Sequence, residues 1–322
     1  MNRTSVLIVC SSLLLFFLLW LDLSCGAVWI PLSEWWQHPD ALTARILLNL
    51  RLPKALTAVL AGAALSVSGL MMQTLFRNPL AGPYILGVSS GASLGVALVT
   101  LCASFFGITL AGGGIIPAAI IGSTLVLLLV LLVSRRIESN VSLLIVGMML
   151  GSVAGALVSL LQNFANPDAL KLFIVWTLGS LSSVGWSELG VLAAVVLVGL
   201  TISILLIKPL NGLSLGENYA QALGIHVPHI RLGIVLATGL LAGGVTAYCG
   251  PIAFVGVAVP HIARGLARSS NHLITLPASI LIGADLLLLC DILSSLFTYP
   301  LPISTISALF GAPIIIWIIL RH

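Results

Sequence analysis

Charge is what this sequence has least of. Only 7% of its 322 residues are Asp, Glu, Lys or Arg, 59% are hydrophobic, and the mean hydropathy is +1.20. An average soluble domain carries about 25% charged residues, so the composition excludes a water-soluble globule. Residues 78–134 hold no charged side chain at all, a run of 57, whereas about 20 apolar residues suffice for one helix to cross a bilayer. That run alone must cross twice.

Other absences narrow the function. None of the three lysines, Lys54, Lys171 and Lys208, follows a glycine, so the Gly-Lys-Ser/Thr loop that cradles nucleotide phosphates is missing. ATP hydrolysis by that machinery is excluded, and the chain is expected not to be an enzyme. Any energy for transport comes from a separate ATPase subunit or from an ion gradient. The five cysteines are an odd number with no CxxC pair and read as small buried hydrophobes. No cluster of His, Cys, Asp and Glu has the spacing of metal ligands, so neither a metal nor a cofactor is expected. The net charge of +4 and the pI near 9.0 come from scattered arginines, which explain them more simply than nucleic-acid binding does.

What is present is an all-α polytopic membrane pattern. Further charge-free runs lie at 55–76, 139–167, 189–207, 232–263 and 292–320. With turns at Gly/Pro clusters the expected spans are 5–21, 55–75, 86–106, 113–133, 141–162, 188–207, 230–248, 252–265, 273–293 and 303–320, with 169–181 as a half-helix at the surface. Basic residues mark the cytoplasmic face. With both termini inside, nine of the thirteen fall there (Arg3, Arg77, Arg135, Arg136, Lys208, Arg231, Arg264, Arg268, Arg321) against four outside (Arg45, Arg51, Lys54, Lys171). Arg3 before an apolar run resembles a leader, and Cys25 after Leu23 and Ser24 hints at a lipoprotein site. Asp22 stands where such a site needs an apolar residue, and the run is long for a leader, so an uncleaved first helix is expected.

Two places break the apolar pattern. Asn78, Pro79, Gly82 and Pro83 stop a helix, and Gly87, Ser89, Ser90, Gly91 and Ser93 give the next a small-residue face. At membrane depth such backbone survives only where protein or a wet cavity satisfies it, and interrupted helices in paired positions mark translocation paths. The order recurs at Gly250-Pro251, five spans later, which would make the halves an inverted repeat; Gly-Pro turns common to membrane proteins are the alternative. The largest polar insertion, 208–231, spaces Leu215, Tyr219, Leu223 and Ile225 on one face of a short helix bracketed by Gly216 and Gly224. Such a helix docks in a partner's groove or lies on membrane lipid.

Six segments together resemble one family: RLPKAL at 51–56, GAALSVSGLMMQTLFRNPLAGPYILGVSSGASLG at 62–95, WTLGSLSS at 176–183, LGENYAQALGI at 215–225, GPIAFVGVAVPHIAR at 250–264 and PLPISTISALFGAPIIIWII at 300–319. They are similar, in order and over nearly the whole chain, to the FecCD permeases of bacterial ABC importers for iron-siderophore complexes, heme and vitamin B12. The resemblance implies a single ten-helix permease domain over 1–322 in the inner membrane. It would dimerise with a second permease subunit, most simply as a homodimer, around a central path. Two ATPase subunits would lie below and a periplasmic substrate-binding protein above.

It further implies that the loop at about 209–229, through Gly216, Glu217, Ala220, Leu223 and Gly224, couples to the ATPase. Arg51 and Lys54 would dock the binding protein, and Asn78, Leu80, Ser139 and Asn140 would narrow the cytoplasmic exit. The fifth span, the 176–183 segment and the tenth span would line the path, with Ser152, Ser159, Gln162 and Asn163 giving weak polar contacts. Lys54 departs from the arginine of the family motif and gives up bidentate geometry. Ser295 replaces a basic residue four positions after Asp291, which puts a third docking contact in doubt. Asp285 argues for a proton-coupled carrier instead, because an intramembrane carboxylate is a functional candidate; small-residue helices could equally satisfy it. His261 and Arg264 are read as a helix-end anchor. The cargo expected is a ferric siderophore, with vitamin B12 and heme as alternatives.

Overall fold

Thirteen helices and no strand make up the described part of the chain, residues 3–26, 29, 41–102, 114–137, 139–297 and 300–320 of a computed structural model. They are α1 (Arg3–Ser24), α2 (Leu42–Phe76), α3 (Val88–Cys102), α4 (Ile115–Ser134), α5 (Asn140–Phe164), α6 (Pro167–Thr177), α7 (Trp186–Leu205), α8 (Ile207–Ser214), α9 (Glu217–Ala222), α10 (Val227–Cys249), α11 (Val255–Ala267), α12 (His272–Ser295) and α13 (Ile303–Leu320). Seven are long and apolar enough to cross a membrane, and α3, α11 and α13 are shorter apolar helices. Together they match the ten expected spans, with α6 as the half-helix. The end of the third span at 103–106, the first residue of the fourth and Arg321 lie outside the described residues.

The bundle is built around α2. Its apolar stretch is 83% buried, against 22% for α5 at the periphery. Lipid tails are as apolar as leucine, so helices in a membrane associate through close packing of small residues rather than through water exclusion. The sequence of α2 is rich in Ala, Gly and Ser for this reason. A Cβ added at Gly62 would come within 2.1 Å of the Gly283 carbonyl oxygen on α12, and one at Gly69 within 1.7 Å of the Gly256 carbonyl oxygen on α11. Gly91 and Gly122 bring α3 and α4 together in the same way.

In one respect the second helix differs from its expected start at 55. It begins thirteen residues earlier and runs through a wide turn at Leu47–Arg51 just ahead of Pro53. Proline has no N–H and its ring crowds the carbonyl four residues back; a π turn at that place lets the helix continue past it.

Both interruptions turn back within the protein. After α2 the chain passes Arg77 in the left-handed region (φ 47), makes one 3-10 turn at Pro83–Leu86 and re-enters helix through Gly87 (φ 73). After α10 it passes Gly250 (φ 74) and Phe254 (φ 67) before α11. At about 1.5 Å per residue, the 13 residues of α11 reach only about 20 Å of a roughly 30 Å hydrocarbon core. The two breaks meet. The Tyr84 hydroxyl accepts from the Ile252 N–H at 3.0 Å and donates to the Ile252 carbonyl at 2.5 Å. The 176–183 segment closes over the second break, with Ser180 N–H donating to the Cys249 carbonyl at 2.8 Å and the Ser183 hydroxyl to that of Tyr248 at 3.1 Å.

Candidate functional site

At the end of the bundle that carries Arg77, Arg135, Arg136, Arg231, Arg264 and Arg268, α8 and α9 form the polar insertion expected from sequence. Gly216 holds φ 125 and ψ 154, a conformation open essentially to glycine, and starts α9. Gly224 (φ 78) ends it in a Schellman motif, with Ile225 N–H donating to the Ala220 carbonyl at 3.0 Å and Gly224 N–H to that of Gln221 at 2.9 Å. Leu215, Tyr219 and Leu223 project outward, 63%, 51% and 59% exposed. Ala220 is fully buried, so of the expected coupling residues it seats α9 on the bundle and does not face a partner.

Glu217 opens α9 and joins it to its surroundings. Its carboxylate accepts a short hydrogen bond from the Asn140 amide, and that amide also donates to the Leu75 carbonyl at 2.9 Å in the last turn of α2. Arg231, at the start of α10 and 3% exposed, stands 3.9 Å from Glu217 and donates to the Ile137 carbonyl at 2.6 Å. Ser139 caps α5 by accepting from the Ser142 N–H at 3.4 Å. An open cavity of about 770 Å³ gathers Arg77, Ser139, Asn140, Leu215, Gly216 and Glu217 at its walls. Asn78 and Leu80 lie on the neighbouring 77–82 loop, where the Asn78 side chain accepts from the Leu80 N–H at 2.9 Å. His261 on α11 holds the Pro79 carbonyl at 2.7 Å, and Arg264 donates to the Gln73 amide oxygen at 2.7 Å. The expected anchor pair is thus a brace on the end of α2 and its loop.

Sequence reasoning missed three participants here. In the sequence Arg231 reads only as one basic residue among others, and neither Asn211 nor His272 stands out. The His272 ring bridges the Thr74 hydroxyl of α2 at 2.9 Å and the Asn211 side chain of α8 at 2.8 Å. All three sit among other polar residues in the sequence, so no local signal sets them apart.

At the opposite end Arg51 and Lys54 already have partners. Arg51 donates to the Leu23 and Ser24 carbonyls at 2.7 and 2.9 Å, closing the end of α1. Lys54 pairs with Asp291 at 2.9 Å and donates to the Ser295 hydroxyl at 3.0 Å. With Asp22 and Ser295 they line a cavity of about 170 Å³, while Arg45 is exposed nearby in the chain. Along α5, Ser152, Ser159 and Asn163 are exposed and Gln162 is half-buried. Among the described residues no three His, Cys, Asp or Glu gather as metal ligands.

The profile of the FecCD transport family matches residues 13–321. The chain belongs to that family. It is similar to the vitamin B12 import system permease protein BtuC of Klebsiella pneumoniae subsp. pneumoniae, 37% identical over 318 residues that cover 96% of this chain and 92% of the relative. It is likewise similar to the uncharacterized ABC transporter permease protein YvrB of Bacillus subtilis, 38% identical over 322 residues, 94% of this chain and 90% of the relative. Among solved structures, one described as "a putative metal-chelate type ABC transporter" in an inward-facing conformation superposes with a TM-score of 0.87 at 33% identity, covering 98% of this chain and 99% of the other. This FecCD chain is therefore a multi-pass permease subunit of an ABC importer, and its relatives are permeases rather than enzymes.

Proposed function

We propose that this chain forms the transmembrane path of an importer for a chelated metal in the bacterial inner membrane, with both termini cytoplasmic. The observation that carries the reading is α9. Tyr219 stands outward on this six-residue helix, with Leu215 and Leu223 exposed just beyond its two ends, and its other side is seated through Ala220. Three exposed apolar side chains grouped on and beside a short helix fit a groove in a partner, and the helix projects at the end where the positive-inside rule puts the cytoplasm. On this reading Gly216, Glu217, Ala220, Leu223 and Gly224 couple the chain to two ATPase subunits. Asn78, Leu80, Ser139 and Asn140 narrow the exit between this chain and a second permease copy. Arg51 and Lys54 receive a periplasmic binding protein, whose carboxylates would compete with Asp291 and the α1 carbonyls. Exposed ion pairs of that kind contribute about 0–1 kcal/mol each and set orientation and rate more than affinity.

The cargo is a ferric siderophore or vitamin B12, a cobalt chelate. The relative named for vitamin B12 import, at 37% identity, supports the second, and the metal-chelate transporter at 33% identity supports the class that holds both. Affinity purification from the native membrane tests the first part: the permease should bring down an ATPase in equal numbers, and a permease that comes alone sinks the reading. Titrating the cognate binding protein with cyanocobalamin and with ferrichrome then separates the cargoes.

A further inference from the structure

We propose that Glu217, Asn140 and Arg231 form a latch through which movement of α9 reaches both cytoplasmic loops of the exit. The inference rests on α9 being the ATPase-coupling helix, and it adds Arg231 as a positioning residue. Three features carry it. First, α9 lies between two glycines at positive φ, Gly216 (φ 125) and Gly224 (φ 78), so the segment can shift as a unit with its backbone rotations taken at its ends. Second, the contacts that leave it are polar, one a hydrogen bond from Asn140 and one an ion pair with Arg231 at 3.9 Å. Asn140, the first residue of α5, donates from one amide to Glu217 and to the Leu75 carbonyl of α2. Arg231, with its guanidinium buried, faces Glu217 and holds the Ile137 carbonyl. Third, the two tethered carbonyls sit where the exit loops leave their helices. Leu75 stands two residues before Arg77, where the 77–82 loop begins, and Ile137 stands two before Ser139.

The Arg231 guanidinium donates to the Ile137 carbonyl while its charge faces Glu217 at 3.9 Å, and an amide NH2 has two hydrogens. One carboxylate on α9 is thereby connected to α2, to the loop ahead of α5 and to α10. Displacing α9 must either carry these groups along or break the bonds. His261 holds the Pro79 carbonyl from α11, so the 77–82 loop is fastened from a second side and cannot simply drift with α9. A latch with one side fixed and the other driven converts a shift of α9 into opening or closing of the loop.

The test uses the complete importer, permease with its ATPase, in lipid nanodiscs. A Leu80→Cys reporter is placed in a background whose five native cysteines are alanine. The rate of labelling by a membrane-impermeant maleimide is compared with and without ATP plus vanadate. The parent should show a nucleotide-dependent rate change, and Glu217→Ala and Arg231→Lys should each reduce that change to less than half. Glu217→Gln keeps an acceptor for Asn140 but loses the charge facing Arg231, so it should fall between parent and Glu217→Ala; it also serves where the alanine variant fails to fold. The Glu217→Ala/Asn140→Ala pair should lose no more than either single variant, because residues acting as a unit are non-additive. A parental response in Glu217→Ala or Glu217→Gln, or losses that simply add, would overturn the latch while leaving the coupling helix in place. A parent importer that ignores nucleotide would overturn the coupling reading and the latch with it.

Discussion

Lys54 lies in the first turn after the wide turn of α2, and its ammonium is 2.9 Å from an Asp291 carboxylate whose side chain is only 3% exposed. A buried charge that loses its partner is penalised far more than the pair contributes. Removing one member typically costs about 3–5 kcal/mol, while replacing both by apolar residues is often neutral. Lys54→Ala should therefore lower the unfolding temperature of the detergent-purified permease sharply, and Lys54→Met with Asp291→Leu should restore most of it. Equal losses in the single and double variants would mean that the pair is exposed to water and that Lys54 is free to serve the binding protein alone. Both residues were visible in the sequence as candidates, yet their pairing across α2 and α12 was not, because nothing local links positions so far apart. Ser295 shows the same limit. Read alone it is a missing basic residue, whereas in the fold its hydroxyl receives the Lys54 ammonium at 3.0 Å.

The helices themselves were legible because a charge-free run longer than a bilayer is thick admits almost no other solution, since every backbone group must be satisfied within the segment. Breaks were legible for the opposite reason: Gly-Pro at 82–83 and at 250–251 cannot continue a helix. Which elements touch was not legible, since a stripe of small residues says that a neighbour comes close without saying which neighbour. The start of α2 was misplaced because Pro53 and the charges beside it look like a boundary, and only the wide turn before them lets the helix pass. Packing at this scale makes a sharp prediction. Gly69→Ala puts a methyl 1.7 Å from the Gly256 carbonyl oxygen, a rigid backbone atom, whereas Gly190 in α7 has nothing within 4 Å of its added Cβ. The first substitution should force α2 and α11 apart and cut the yield of monodisperse permease. The second should be neutral or stabilising by up to about 1 kcal/mol, the helix propensity of Ala over Gly. Thermal unfolding of the two variants side by side decides it, and equal behaviour would mean that α2 and α11 are not in backbone contact.

On the proposed reading, a single chain is completed as a conduit by a second permease copy. The exposed polar positions of α5, Ser152, Ser159 and Asn163, recur at helical spacing on one face; the Ser152 hydroxyl donates back to the Met148 carbonyl at 3.0 Å, whereas an amide such as that of Asn163 facing lipid would lack partners, and on the proposed reading a second permease copy across a wet path gives it water instead. The competing account, a carrier worked by protons, needs a carboxylate that can exchange a proton as it meets a cation or cargo. Asp285 is the candidate: it is 6% exposed, and its Oδ1 has no hydrogen-bond partner among the described residues. Yet the lysine that reaches α12 is committed to Asp291, and the polar network of the molecule is concentrated instead at the end where α9 projects. A permease whose movable element is an external helix should be inert without the protein that grips it. Purified alone into vesicles, it should therefore accumulate neither cyanocobalamin nor ferrichrome under a pH or sodium gradient. In the complete importer Asp285→Asn should leave ATP-driven uptake of the accepted probe near the parental rate. Gradient-driven accumulation by the isolated chain, abolished by Asp285→Asn, would instead place the energy source inside the membrane and make α9 a surface helix without a partner.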